Sequence, residues 1–324
     1  MDLIDVGARA VRIGCAGVFM LLVLPVDIAS QALPPLIPRD DEQYQIAVDV
    51  NLVVLHTVVT DRKGKLVSDL PIEDFEVYED GVRQTIRLFQ REDVPVTVGL
   101  VVDHSGSMRR KLTDVIAAAR AFARVSNPED EMFVVNFNEH VTLGLPGTMP
   151  FTNRAEELGA ALLKSPATGM TALYDAIVEG LNRLRGGRHE KKVLIVISDG
   201  GDNASVQKLA GVLKMAEQSS VLIYTVGTFD EEDPDRNPGV LRRLARTTGG
   251  EVFFPKELGD VVAISEGIAR DIRNQYTIGY SSSAGSQPRV YRSIRVVAKG
   301  DGRGKLSVRN RAGYVAGGPK QDIQ

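Results

Sequence analysis

The sequence is almost without cysteine: its 324 residues contain one, Cys15. Thiol catalysis and thiolate-bound metal therefore have no basis beyond that residue. There is no basic excess either. The chain carries 39 Lys and Arg against 42 Asp and Glu, a net charge of −3, with a pI near 5.9. That balance gives no footprint for nucleic acid, and no long run of like charges marks an interaction tail. Two enzyme signatures are also missing. No Gly-x-Ser-x-Gly elbow presents a serine nucleophile, and no Gly-x-x-x-x-Gly-Lys loop cradles a phosphate.

The longest apolar run lies near the start. Arg9 and Arg12 precede residues 13–26, which are mostly apolar, and Ser30 and Ala32 follow as a small-x-small pair. A basic region, an apolar region of about 14 residues and a small-residue site read as a secretory signal peptide over residues 1–32. The run is short for a membrane span, which needs about 20 apolar residues. An uncleaved signal anchor is the alternative, and Asp2 and Asp5 make the basic region less clean. Cys15 precedes most of the apolar run and is badly placed for a lipoprotein site. Export without disulfides suits a domain large enough to build its own core. The expected location is periplasmic, extracellular or at the cell surface.

Residues 33–44 are Pro-rich and charged, as a linker would be. A β block is expected over residues 45–93. Alternation from Ile46 to Asp61 predicts a strand with Val48, Val50, Leu52, Val54 and Val58 on one face, and His56 with them. Residues 74–89 predict a hairpin turning at Asp80-Gly81, the strongest two-residue turn signal. From residue 94 to 273 apolar strands alternate with helical stripes. Strands are expected at 96–102, 132–137, 141–145, 193–197, 221–226 and 251–254. Helices are expected at 109–125, 153–163 with Asn153 as N-cap, along Leu173, Ile177, Leu181 and Leu184, and at 206–218, 240–247 and 258–273. That rhythm predicts an α/β fold: a doubly wound, mostly parallel sheet with helices on both faces. The helical rhythm stops near Gln275, and a second β block is expected over residues 274–316, with a frayed tail at 317–324. Each β block alone is too thin to bury a sheet. They are expected to pair as a small β-sandwich, with the α/β domain inserted between them.

One stretch organises the rest. The strand Val96–Val102 ends in Asp103, Ser105 and Ser107, at the carboxyl end where open α/β sheets place ligand sites. A carboxylate and two hydroxyls this close suit a hard cation. Thr171, at the start of a helical stripe, and Asp199, after the strand Val193–Ile197, complete the set. Each has a plain structural reading: Ser105, Ser107 and Thr171 as helix caps, Asp199 as a turn former.

Asp-x-Ser-x-Ser, then a distant Thr, then a distant Asp after an apolar strand, resembles the metal-ion-dependent adhesion site of von Willebrand factor A domains. The resemblance covers roughly residues 94–273. It implies that Ser105, Ser107 and Thr171 ligate an ion directly, while Asp103 and Asp199 act largely through water. Mg²⁺ suits such a site because it prefers octahedral oxygen and keeps waters; Mn²⁺ and Ca²⁺ are the alternatives. The implied partner is a protein ligand presenting Asp or Glu. No nucleic acid is expected, and membrane contact only through the leader or an uncleaved anchor. His104 and Asp202 adjoin the site but are not expected as ligands. The layout, with Asp-Phe-Glu-Val-Tyr-Glu-Asp-Gly at 74–81 and Tyr-x-x-x-Tyr and Arg-x-x-Tyr near the end, is similar to a secreted bacterial VWFA-related family of the acidobacterial type. Two other classes stand beside a non-enzymatic adhesion module: a metal-dependent hydrolase, and a surface scaffold whose metal only stiffens loops.

Overall fold

A computed structural model describes residues 52–91, 93–229, 234–257, 259–284, 290–300 and 302–316. The expected leader, linker and tail lie outside the described residues, as does the first part of the strand expected from Ile46. All the described residues fall within one compact unit.

The central sheet has six strands: β5 (Thr97–Asp103), β6 (Glu131–Phe137), β7 (Val141–Leu143), β8 (Lys192–Ser198), β9 (Leu222–Gly227) and β10 (Val252–Phe253). Their spatial order is β10-β9-β8-β5-β6-β7. All pairings are parallel except β6 with the edge strand β7. Every residue of β5 is buried. A strand covered on both faces needs apolar side chains at successive positions, which is why this segment reads as a continuous run.

Among the described residues six α-helices cover the sheet: α1 (Leu112–Val125), α2 (Ala155–Leu162), α3 (Leu173–Leu184), α4 (Leu209–Gln218), α5 (Pro238–Thr248) and α6 (Asp260–Arg273). α2 and α6 pack on α1, while α4 packs on both α3 and α5. α1 turns Val115, Ile116, Ala119 and Phe122 inward, and burying a Val, Ile or Phe side chain contributes about 1.5–3 kcal/mol. α5 has its start and stop written locally. Asn237 caps it by accepting from Val240 N, Pro238 opens it, and Gly249 closes it at φ 83°.

The β blocks meet. β1 (Leu52–Thr60) pairs antiparallel with β11 (Tyr276–Ser281), and β2 (Phe75–Glu79) with β12 (Tyr291–Ala298). With β3 (Val82–Gln84), β4 (Ile86–Gln90), β13 (Ser307–Arg309) and β14 (Gly313–Val315) they form two four-stranded sheets, β13-β1-β11-β4 and β14-β12-β2-β3. Their shared core includes Val53, Leu55, Phe75, Val77, Tyr276, Ile278, Tyr280, Ile294 and Val296. Each sheet thus joins strands from both ends of the described chain around one small core.

Some local readings needed correction. In β1 the sandwich core takes Val53, Leu55 and Val59, not the face with Val54 and His56. Val54 and His56 instead face a small cleft lined also by Ala216, Val221, Thr248 and Arg311, against the α/β domain. The strand is covered on both sides, so its alternation could not say which side was core. Asn153 is not a cap: Arg154 holds that position, and Asn153 Nδ2 donates to Pro128 O at 2.8 Å. α4 starts at Leu209, and ahead of it the backbone N–H groups of Val206 and Gln207 donate to the Asp175 carboxylate at 3.0 and 2.8 Å.

Candidate metal centre

The strand order fixes where a site can form. β5 has β6 on one side and β8 on the other, so the chain reverses its direction of travel across the sheet between β5 and β8. That is a topological switch point, with an open crevice at the carboxyl ends of the two strands. Asp103 is the last residue of β5, and Asp199 follows the last residue of β8.

Asp103 is fully buried. Its Oδ1 accepts from Ser105 N at 2.8 Å, closing the turn that follows the strand. Its Oδ2 accepts from the Ser198 hydroxyl at 2.7 Å. The Ser105 and Ser107 hydroxyl oxygens lie 3.2 Å apart, and Ser107 donates to Asp199 Oδ2 at 2.7 Å. Asp199 Oδ1 accepts from Gly201 N at 2.9 Å. Four of the five expected residues are therefore linked by hydrogen bonds, Asp103 through the Ser105 backbone N–H and the other three through their side-chain oxygens.

Thr171 is joined through its backbone. Its N–H donates to Asn203 Oδ1 at 2.8 Å, and its carbonyl accepts from Asn203 N and Ala204 N, both at 3.0 Å. The same loop meets the serine loop where Gly106 N donates to Gly169 O at 3.2 Å. The Thr171 hydroxyl takes no hydrogen bond among the described residues. Neither Ser105 nor Thr171 caps a helix through its side chain, so the plain capping readings fail. The plain reading of Asp199 holds in part, since it does close a turn.

The electrostatics are lopsided. Among the described residues neither Asp103 nor Asp199 bonds to a lysine, arginine or histidine. Burial, with the Asp199 charge beside it, pushes the Asp103 carboxyl up to about 6. No cluster of three or more His, Cys, Asp or Glu gathers among the described residues. This set is of another kind, two carboxylates with three hydroxyls.

The neighbours have structural roles. Both ring nitrogens of the buried His104 face backbone carbonyls, Val102 O at 3.1 Å and Leu162 O at 2.9 Å. Asp202 serves the start of α3, accepting from Tyr174 N at 3.1 Å and from Ser205 Oγ at 2.5 Å. Two residues of the site escaped the sequence reading, Ser198 and Asn203. Ser198 stands between the strand expected at 193–197 and Asp199, but only the β5–β8 pairing brings it to Asp103.

The von Willebrand factor type A domain profile matches residues 97–266. The chain belongs to this family. Among solved structures it is similar to von Willebrand factor type A from Catenulispora acidiphila, at 14% identity and a TM-score of 0.51, over 74% of this chain and 73% of that one. It is also similar to the vWF domain of the type V pili tip protein Mfa5 from Porphyromonas gingivalis, at 13% identity, TM-score 0.47, covering 56% and 95%. A third is the PilB minor pilin from Streptococcus sanguinis, at 12% identity, TM-score 0.44, covering 57% and 63%. At these identities the likeness is one of fold. No curated protein sequence matches the chain. Among the described residues of this VWA protein, no helix is long and apolar enough to cross a membrane.

Proposed function

We propose that this VWA protein is an exported, non-enzymatic binding module that recognises a protein ligand through a bound divalent cation. The observation that carries the reading is the charge deficit of the site. Among the described residues, two buried carboxylates stand at one switch point with no cationic side chain bonded to either, beside a threonine hydroxyl that takes no hydrogen bond. A hard cation fits that donor set, and Mg²⁺ fits it best, with Mn²⁺ or Ca²⁺ as substitutes. Ser105, Ser107 and Thr171 would ligate it, and Asp103 and Asp199 would hold its waters. The bound ion supplies a seat for one more anionic oxygen, an Asp or Glu of the partner.

Nucleophilic chemistry has little support here. Ser107 donates to a carboxylate, and Ser105 lies against Ser107. His104 spends both ring nitrogens on carbonyls, and His189 sits beside Glu129 O and Arg188 at the opposite end of the sheet. Neither His104 nor His189 therefore serves either hydroxyl as a base, and the carboxylate on Ser107 belongs to one of the five residues proposed to hold the cation. Export rests on the leader read from the sequence.

Capture from envelope and secreted fractions, with and without EDTA, tests the reading. Prey retained in Mg²⁺, released by EDTA and not held by folded Asp103→Ala supports it. Prey equally held in all three conditions would remove the metal from recognition.

A further inference from the structure

Among the described residues of the closing β block, Arg292, Arg309 and Arg311 are buried or half-buried, and the first two are paired with carboxylates. Arg292 donates to Glu79 at 2.8 Å. Arg309 meets both Asp271 and Glu251, and its Nη1 donates to Gly249 O at 2.9 Å. Arg311, two residues on, differs. Its guanidinium makes no hydrogen bond or ion pair among the described residues, and its Nε is fully enclosed without an acceptor. The guanidinium carbon lies 5.2 Å from the centre of the Tyr314 ring. A ring face attracts a cation but leaves the in-plane N–H fork without acceptors. Burial pushes the Arg311 pKa down, and the groups that offset this are Tyr280, Tyr314 and Tyr291, which carry no charge at pH 7.

The position of Arg311 is set by packing. Its backbone runs against Gly249 at the end of α5, where a Cβ would press on Arg311 N. Asn310 Nδ2 donates to the Arg311 carbonyl at 2.6 Å. The residue lines the small cleft where the sandwich meets the α/β domain, together with His56, Glu217 and Thr247. The space there is about 10 Å³, room for one water-sized particle. The Thr247 hydroxyl takes no hydrogen bond among the described residues. Glu217 lines the cleft too, yet makes no ion pair with Arg311. Buried charges are normally paired, so an unpaired guanidinium beside a space of this size suits an anion. The space is too small for a sulfate or a carboxylic acid, and Glu217 disfavours more than one negative charge.

We infer that this cleft binds one small monovalent anion of the halide class, with the Arg311 guanidinium as its main donor and the Thr247 hydroxyl beside it. The ion gives Arg311 the counter-charge that Glu79 gives Arg292 and Asp271 gives Arg309. Because residues of both the sandwich and the α/β domain line the cleft, occupancy stabilises their junction.

The test is chloride NMR line broadening by the full chain at pH 7, in EDTA so that the metal centre plays no part. Excess broadening that bromide reverses is expected. It is lost in Arg311→Gln and kept in Arg243→Gln, which alters an exposed arginine of α5. Bromide-soaked crystals of the unaltered chain give a second readout that does not depend on folding of a variant, an anomalous peak in the cleft beside Arg311. No excess broadening, equal broadening in folded Arg311→Gln, or a cleft that holds only water in bromide would overturn the inference.

Discussion

The Ser107 hydroxyl donates to Asp199 Oδ2 at 2.7 Å, across 92 residues of sequence. It also lies 3.2 Å from the Ser105 hydroxyl, so one side chain bridges the loop after β5 to the loop after β8. The bridge is possible only because those strands are parallel neighbours, with Val102 opposite Ile197.

The buried Asp103 carboxylate makes the metal-free protein less stable than it could be. Its folded pKa is raised to about 6, from 3.8. Above pH 6 the folded chain bears the cost of that buried charge. As pH falls from about 6 to 4 the folded state takes up the proton first, so this group's contribution to stability rises. Asp103→Asn is expected to stabilise the metal-free protein at pH 7 by about 2–3 kcal/mol. Asn can still accept from Ser105 N, and its amide can donate to Ser198 Oγ. Urea unfolding in EDTA checks this, and an unchanged or lowered midpoint would contradict it.

Glu79 locks the sandwich. It is buried, and Arg292, Tyr280, Tyr314 and Ser282 all donate to it. Burial pushes its carboxyl up, but the bonds from Ser282, Tyr280, Arg292 and Tyr314 outweigh that and hold it below the ordinary range. Glu79→Ala leaves the Arg292 charge buried without its carboxylate, a loss of about 3–5 kcal/mol. Tyr314→Phe removes one of four donors and costs about 1 kcal/mol. Denaturant midpoints of both variants give the comparison.

The junction between sandwich and α/β domain carries an acid sensitivity. His56 is half-buried there, and burial, with Lys191 and Arg311 nearby, lowers its pKa to about 3 from 6.5. Between those values the unfolded chain binds a proton that the folded chain refuses. Stability is therefore lost as pH falls from about 6.5 toward 3. In His56→Gln that slope is expected to flatten. Thermal unfolding of both proteins across pH 3–7 measures it, and parallel curves would assign the slope to other groups.

Gly200 sits at φ 82°, and a Cβ there would press on the backbone carbonyl of Asn237. Asn237 N in turn donates to Asp199 O at 3.0 Å. Gly200→Ala is expected to cost about 1–3 kcal/mol through strain and to weaken metal binding by displacing Asp199. Loss of stability with intact metal affinity would separate the turn from the site.

The α/β rhythm was legible because strands buried on both faces and amphipathic helices each leave a period in the sequence. The five oxygen residues were legible because each stands at the end of an apolar run or the start of a helical stripe. Other features were settled only by pairing. The covered faces of β1 look alike in sequence, since Val54 and Val58 alternate with Val53 and Leu55. Asn153 looked like a cap, yet its side chain is drawn to Pro128 by tertiary contact. Ser198 gave no signal of its own, because its partner lies 95 residues away. The closing tyrosines give no sign in sequence of what they bond to. Tyr280 and Tyr314 converge on Glu79, and Tyr276 donates to Val67 O while accepting from Leu70 N.

The most direct measurement is a calorimetric titration of the chain from residue 33 onward with Mg²⁺ at pH 7, alongside folded Asp103→Ala. The account predicts a one-site isotherm for the unaltered chain and none for the variant, with affinity falling as pH drops below about 6, because protons compete for Asp103. A folded, unaltered chain that binds neither Mg²⁺ nor Mn²⁺ would contradict it and leave the five oxygens as turn and loop residues.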